Sequence, residues 1–207
     1  MEDKEKDKVD KVDKVDKVDK TDRTDKVDRT DRTDRTDKAS FLDCIKIVAI
    51  TYIVVSILIN FVILNIQVPS GSMMNTINIG DNIIADRLFY KLNGIQRGDI
   101  VVFVHPDSGK IYIKRAIGLP GEKIEGKDGY VYINDKKLKE TYVRSKLKGD
   151  FGPYTIPDDS YFMMGDNRAD SYDSRFWIEK FVSSDKIMGV ARIRYKGGFK
   201  IFNRPKY

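Results

Sequence analysis

The sequence predicts a mainly β protein: antiparallel sheets in a compact, barrel-like domain, preceded by one transmembrane α-helix. Residues 47–66 form a run of twenty uncharged, largely apolar side chains. Beyond it, short stretches of alternating or apolar β-formers recur between turn signals, the pattern of strands in a small antiparallel fold. Before it, the first forty residues hold almost no large apolar side chains and cannot contribute to a core.

Three segments follow: a charged tail at 1–40, a membrane helix at 41–66 and a folded domain at 67–207. The tail repeats a triplet of basic residue, Val or Thr, and Asp from Lys8 to Asp37. A period of three suits neither helix nor strand. The tail carries 13 Lys/Arg against 14 Asp/Glu and reads as a disordered, charge-balanced, low-complexity segment.

The apolar run is long enough, at about 1.5 Å per residue, to cross the roughly 30 Å hydrocarbon layer. Asn60 and Asn65 interrupt it near its outer end. It is too long, and preceded by too much charge, for a cleaved signal peptide. Lys38 and Lys46 flank its first end, whereas the next basic residue after Ile66 is Arg87. That asymmetry predicts a single-pass protein in the cytoplasmic membrane, with its N-terminus inside and its folded domain outside. Cys44, the only cysteine, excludes an intramolecular disulfide and reads as a small apolar residue of the run.

In the folded domain, strands are expected at 82–86, 99–104, 110–117, 129–133, 160–164 and 187–195. Turn signals at Arg97-Gly98-Asp99, Pro106-Asp107-Ser108-Gly109, Leu119-Pro120-Gly121 and Asn134-Asp135 separate several of them. The net charge of +6 combines −1 in the tail with +7 in the rest of the chain. Its basic residues are scattered among acids, which favours an anionic membrane lipid surface over nucleic acid.

Three clusters carry chemistry. Pro69-Ser70-Gly71-Ser72-Met73-Met74 places a glycine-flanked serine just beyond the membrane run. Serine is a poor nucleophile unless a base takes its proton. The single histidine, His105, sits at a strand end and reads as a surface-loop residue; a Ser-His-Asp arrangement through it has no supporting pattern. One histidine also argues against zinc, and Asp166-Asn167-Arg168-Ala169-Asp170 fails as a calcium loop because Arg168, Tyr172 and Trp177 stand at ligand positions. Lysine is left as the base. Alternation along Ile111-Tyr112-Ile113-Lys114-Arg115-Ala116-Ile117 sends Lys114 and Arg115 to opposite faces, so one can be desolvated while the other pairs with a carboxylate. The third cluster, Gly165-Asp166-Asn167-Arg168-Ala169-Asp170-Ser171-Tyr172-Asp173-Ser174-Arg175, is a dense polar loop at a strand exit, well placed to support a site.

In this order behind one anchor, the clusters resemble the type I signal peptidases, bacterial serine proteases with a Ser-Lys dyad. Further matching stretches are Gly80-Asp81, Arg97-Gly98-Asp99-Ile100-Val101-Val102-Phe103 and Gly118-Leu119-Pro120-Gly121-Glu122. The resemblance spans 68 to about 195 and leaves out the 1–40 tail. It implies a signal-peptidase-like catalytic domain, with Ser72 as nucleophile and Lys114 as general base. Ser70 would line the oxyanion hole with the Ser72 N–H. Ser171 would hydrogen-bond the Lys114 amine. Arg115 would pair with Asp166, and Asp173 with Arg175. It implies no cofactor and no metal, and exported preproteins as partners, cut after small residues in Ala-x-Ala-like sites. The short stretch between Glu122 and Phe162 resembles the compact Gram-positive type. Asn75 stands where the family usually has Pro, Ala169 where an acidic residue is common, and Ile178 where Gly is usual. The alternatives are a related Ser-Lys peptidase dedicated to one substrate, such as a pilus or conjugation protein, and a non-catalytic homologue. Oligomeric state is not legible.

Overall fold

The computed structural model describes residues 40–207; the charged tail lies outside the described residues. The first element, α1, runs Ser40–Val62 and is long and apolar enough to cross a membrane. Its 23 residues span about 35 Å, and Cys44 lies exposed on it. The helix ends four residues earlier than the sequence suggested. Ile63–Gln67 is instead a strand, β1, paired antiparallel with β2 (Asn82–Asp86) in the register Ile63↔Asp86 to Gln67↔Asn82. The apolar run therefore contains two structures, and its last residues meet sheet partners rather than lipid. Asn65 is part of that pairing, and its side chain accepts a hydrogen bond from Tyr195 Oη at 2.9 Å. Carbonyls at the end of α1 are satisfied by Arg87, whose N–H bonds Val62 O and whose Nη1 bonds Asn60 O.

The chain beyond α1 is mainly β, in two antiparallel sheets. The larger has eight strands in the order β1-β2-β11-β3-β4-β9-β10, with β12 pairing β11. Here β3 is Ile100–Val104, β4 Ile111–Gly118, β9 Ser160–Met164, β10 Val182–Ser183, β11 Ile187–Lys196 and β12 Lys200–Ile201. The smaller has the order β7-β6-β5-β8, with β5 at Lys123–Lys127, β6 at Tyr130–Ile133, β7 at Lys136–Lys137 and β8 at Phe151–Thr155. Each strand expected from the sequence is present within a residue or two. The short helix α2, Phe89–Asn93, was not expected.

The large sheet buries both faces, so its central strands read as continuous apolar runs rather than clean alternation. On β3, Ile100 and Val102 join Val68, Met73, Ile77, Ile83 and Ile113. Val101 and Phe103 join Ala116, Met163, Trp177 and Val190 on the other face. A third cluster, including Ile117, Ile124, Val131, Phe162 and Met164, ties the small sheet to the ends of β4 and β9. Strand β4 borders all three clusters. It pairs with β3 from Ile111 to Arg115 and with β9 from Arg115 to Gly118. Among the described residues, one edge of 111–114 is thereby left without a strand partner, beside the loop that carries Ser72.

Candidate active site

Ser72 sits in a single 3-10 turn, Gly71–Met73, just after β1. The segment is held on both sides. Val68 N–H bonds Asp81 O and Gly80 N–H bonds Val68 O, while Met74 N–H bonds Gly71 O. Met73 is fully buried in the core, which fixes the neighbouring Ser72 at 7% exposure. The polar loop then grips the turn from outside. Asn167 N–H donates to Ser72 O at 3.1 Å and Asn167 Nδ2 to Gly71 O at 3.2 Å.

Lys114 reaches this serine from β4. It is 4% exposed, and its Nζ hydrogen-bonds Ser72 Oγ. Burial pushes the amine down to about 8; Asp173 and Asp166 pull it back up and Arg175 pushes it further down. At pH 7 about a tenth of such an amine is neutral, against about one in three thousand for an ordinary lysine. Ser70 Oγ lies 3.4 Å from Ser72 Oγ. These groups face a cleft of about 370 Å³ whose walls include Ile66, Val102, Ile111, Ile113 and Tyr172. The cleft contains a serine hydroxyl, a depressed amine and apolar walls beside a strand edge. That combination fits acyl transfer on an extended peptide.

The supporting pairs form largely as expected. Arg115 donates from Nε to Asp166 Oδ1 at 2.8 Å and from Nη2 to Oδ2 at 2.5 Å. Arg175 pairs bidentately with Asp173 at 2.7 and 2.9 Å. Asp173 also accepts Gly165 N–H at 2.9 Å, and Arg175 Nη2 donates to the carbonyls of Arg168 and Ser171. One expectation is corrected. Ser171 Oγ is buried and has no hydrogen-bond partner among the described residues, so it does not bond the Lys114 amine; that amine is directed at Ser72. Ser171 instead packs against Gly165, where an added Cβ would lie 2.2 Å from Ser171 Oγ and 2.5 Å from Ser72 O. Only glycine permits that approach.

His105 is also corrected. It is buried at 2% exposure, not a surface-loop residue. Its Nδ1 accepts the N–H groups of Asp107 and Ser108 at 3.2 and 3.1 Å, and its ring packs against Tyr112 and Trp177 with centroids 4.5 Å away. Burial lowers its pKa. It caps the β3–β4 turn through those backbone amides. Among the described residues, no group of three or more His, Cys, Asp or Glu could hold a metal ion.

Residues 41–196 match the family model described as signal peptidase, peptidase S26. The chain belongs to this family. It is 41% identical over 134 residues to a probable signal peptidase I-2 of Synechocystis, covering 62% of this chain and 61% of that protein. The chain thus spans less than two thirds of the length of that relative. It is 38% identical over 156 residues to a signal peptidase I of Bacillus caldolyticus, covering 69% and 84%. The crystal structure of a signal peptidase I from Enterococcus faecalis V583 aligns at 36% identity and TM-score 0.42, covering 46% of this chain and 95% of that one.

Within the signal peptidase family, this chain's Asn75 has a local explanation. Its φ is +87°, which a proline ring cannot adopt. The turn after the serine is held by hydrogen bonds on this backbone path. Thr76 N–H and Ile77 N–H both bond Met73 O, and Thr76 Oγ1 donates to Asp166 Oδ2 at 2.6 Å. Ile178 is 86% exposed, but its N–H is held by Asp107 Oδ2 at 3.1 Å. Nothing in the structure explains Ala169. Sequence reasoning missed Thr76 and Asn167, which tie the serine turn to the polar loop. A threonine four residues from the serine carried no signal; the Gly165 strand exit did.

Proposed function

We propose that this protein is a membrane-anchored serine endopeptidase that removes signal peptides from exported preproteins. The hydrogen bond between buried Lys114 and Ser72, inside a peptide-sized cleft, carries this reading. The preprotein lies extended along residues 111–113, adding a strand to the unpaired edge of β4. Small side chains before the cut fit the shallow apolar walls. Ser72 Oγ attacks the scissile carbonyl carbon while neutral Lys114 takes its proton. The oxyanion is stabilised by the Ser72 N–H and the Ser70 hydroxyl. Collapse breaks the C–N bond, and Lys114 gives its proton to the leaving amine. Water, activated by the again-neutral amine, then releases the acyl group and restores Ser72. Ser171 and the Asp166–Arg115 and Asp173–Arg175 pairs hold the strand and loop in place.

In this reading α1 spans the cytoplasmic membrane with the charged tail inside. It holds Ser72 near the outer face, where a signal peptide leaves the lipid. Incubating the detergent-solubilised full chain with a preprotein tests the proposal. Cleavage after an Ala-x-Ala-like site is expected, and Ser72→Ala or Lys114→Ala should each lower it about 10⁴-fold or more. Persistent cleavage in either folded variant contradicts the dyad. Cleavage of a single dedicated substrate alone would narrow the function to a specialised peptidase, and no cleavage by the unaltered protein would remove the enzymatic reading.

A further inference from the structure

Arg115, beside the proposed general base, is held by more than Asp166. Its Nη1 donates to Gly98 O at 2.6 Å, and its guanidinium carbon lies 4.1 Å from the centroid of the Tyr142 ring. Tyr142 is fixed in turn, donating to Glu140 Oε1 at 2.7 Å with its oxygen 3.3 Å from Tyr207 Oη. Residues 204–207 press onto the 97–99 turn that supplies the Gly98 carbonyl. Arg204 donates to both oxygens of Asp99, at 2.6 and 3.2 Å. An added Cβ at Gly98 would lie 2.6 Å from Pro205 Cδ and 2.7 Å from Tyr207 Oη.

We propose that Tyr142, Arg204 and Tyr207 form a clamp that positions Arg115 against Asp166, and so sets the charge balance felt by Lys114. The proposal builds on the reading of Lys114 as general base, but the clamp itself is a statement about the Lys114 amine. Asp166 is shared between Arg115 and Thr76 Oγ1, so it is the joint between the clamp and the serine turn. With Arg115 seated, the Asp166 charge is neutralised at two hydrogen bonds. With Arg115 loosened, that carboxylate acts more strongly on Lys114, and the amine keeps its proton to higher pH. The other groups around Lys114 are Asp173 and Arg175, which neutralise each other, and His105, whose Nδ1 is taken by backbone amides. None of these touches the clamp. Tyr142, Arg204 and Tyr207 are thus positioning residues: they act through Arg115 and not on the substrate.

The test is an NMR titration of the Lys114 Cε signal in the full chain, assigned with Lys114→Met, in Tyr142→Ala, Tyr207→Ala, Arg204→Ala and Tyr207→Phe. The three alanine variants should raise the Lys114 midpoint by roughly half a pH unit or more, about a threefold loss of neutral amine at pH 7. Tyr207→Phe removes the hydroxyl beside Tyr142 Oη but keeps the ring edge near Gly98, so it should raise the midpoint by less than Tyr207→Ala. An unchanged midpoint in folded Tyr207→Ala and Arg204→Ala overturns the clamp, whatever their stability. Tyr207 is 46% exposed, so its variant tests the idea even if Tyr142→Ala fails to fold. The titration needs no substrate. A protein that shows the shifts but cuts no preprotein would keep the clamp and lose the peptidase reading.

Discussion

Lys114 and Arg115 are consecutive on β4, comparably buried at 4% and 3% exposure, and treated in opposite ways. Arg115 faces a carboxylate at hydrogen-bond distance, a carbonyl and an aromatic ring. Burial opposes its charge, but the hydrogen bonds and charge of Asp166 overcome burial and raise its pKa. Lys114 faces a serine hydroxyl, and the nearby acids Asp173 and Asp166 each bond an arginine. Burial wins there, and the amine falls to about 8. Strand alternation separates the two faces. One cation is kept charged by its carboxylate, and its neighbour is made easy to neutralise, as the proposed role of general base requires.

The largest way to break this contrast is to unpair the arginine. Asp166→Ala leaves the Arg115 guanidinium buried without its carboxylate and removes the acceptor of Thr76. A loss of about 3–5 kcal/mol is expected in chemical denaturation. A loss below about 1 kcal/mol would show that Arg115 is not held by this pair.

Removing the lysine should do the reverse. The folded amine at about 8 lies below its ordinary value of 10.5, so between those pH values the unfolded chain binds the extra proton. Stability attributable to this group therefore rises with pH from about 8 to about 10.5 and is at its lowest below that window. Lys114→Met fills the same space without the charge. It should be inactive yet more stable at pH 7, by up to about 3 kcal/mol, with the advantage fading as pH rises through the window. Equal stability at pH 7 would mean that the buried amine carries no penalty.

A smaller effect tests the serine turn beside the two cations. Asn75→Pro, toward the family's usual residue, should destabilise this chain by more than about 1 kcal/mol and lower cleavage, because φ of +87° is closed to proline. Asn75→Gly should be tolerated. An active, stable Asn75→Pro protein would show that the turn can adopt another backbone path.

Much of this was legible before the fold was known, for identifiable reasons. The opposed faces of Lys114 and Arg115 follow from strand period alone. The polar loop declared itself by its density of charge after Phe162-Met163-Met164. The end of α1 was not legible, because Ile63–Gln67 is as apolar as the helix before it and only its pairing with β2 distinguishes it. His105 was misread because its burial comes from Trp177, far along the chain, and from turn amides that a sequence does not display. The short strands β5, β7, β8, β10 and β12 carry weak patterns and exist through their neighbours. Tyr142, Arg204 and Tyr207 gave no signal, since contacts across such sequence distances leave no local trace.

The most direct test of the account is the pH dependence of kcat/KM for cleavage of a preprotein by the full chain. In the proposed mechanism the neutral amine is the active form, so activity should rise with pH and level off above a midpoint of about 8. A midpoint near 10.5, or activity independent of pH between about 6 and 10, would contradict a buried, depressed Lys114 as the base that activates Ser72.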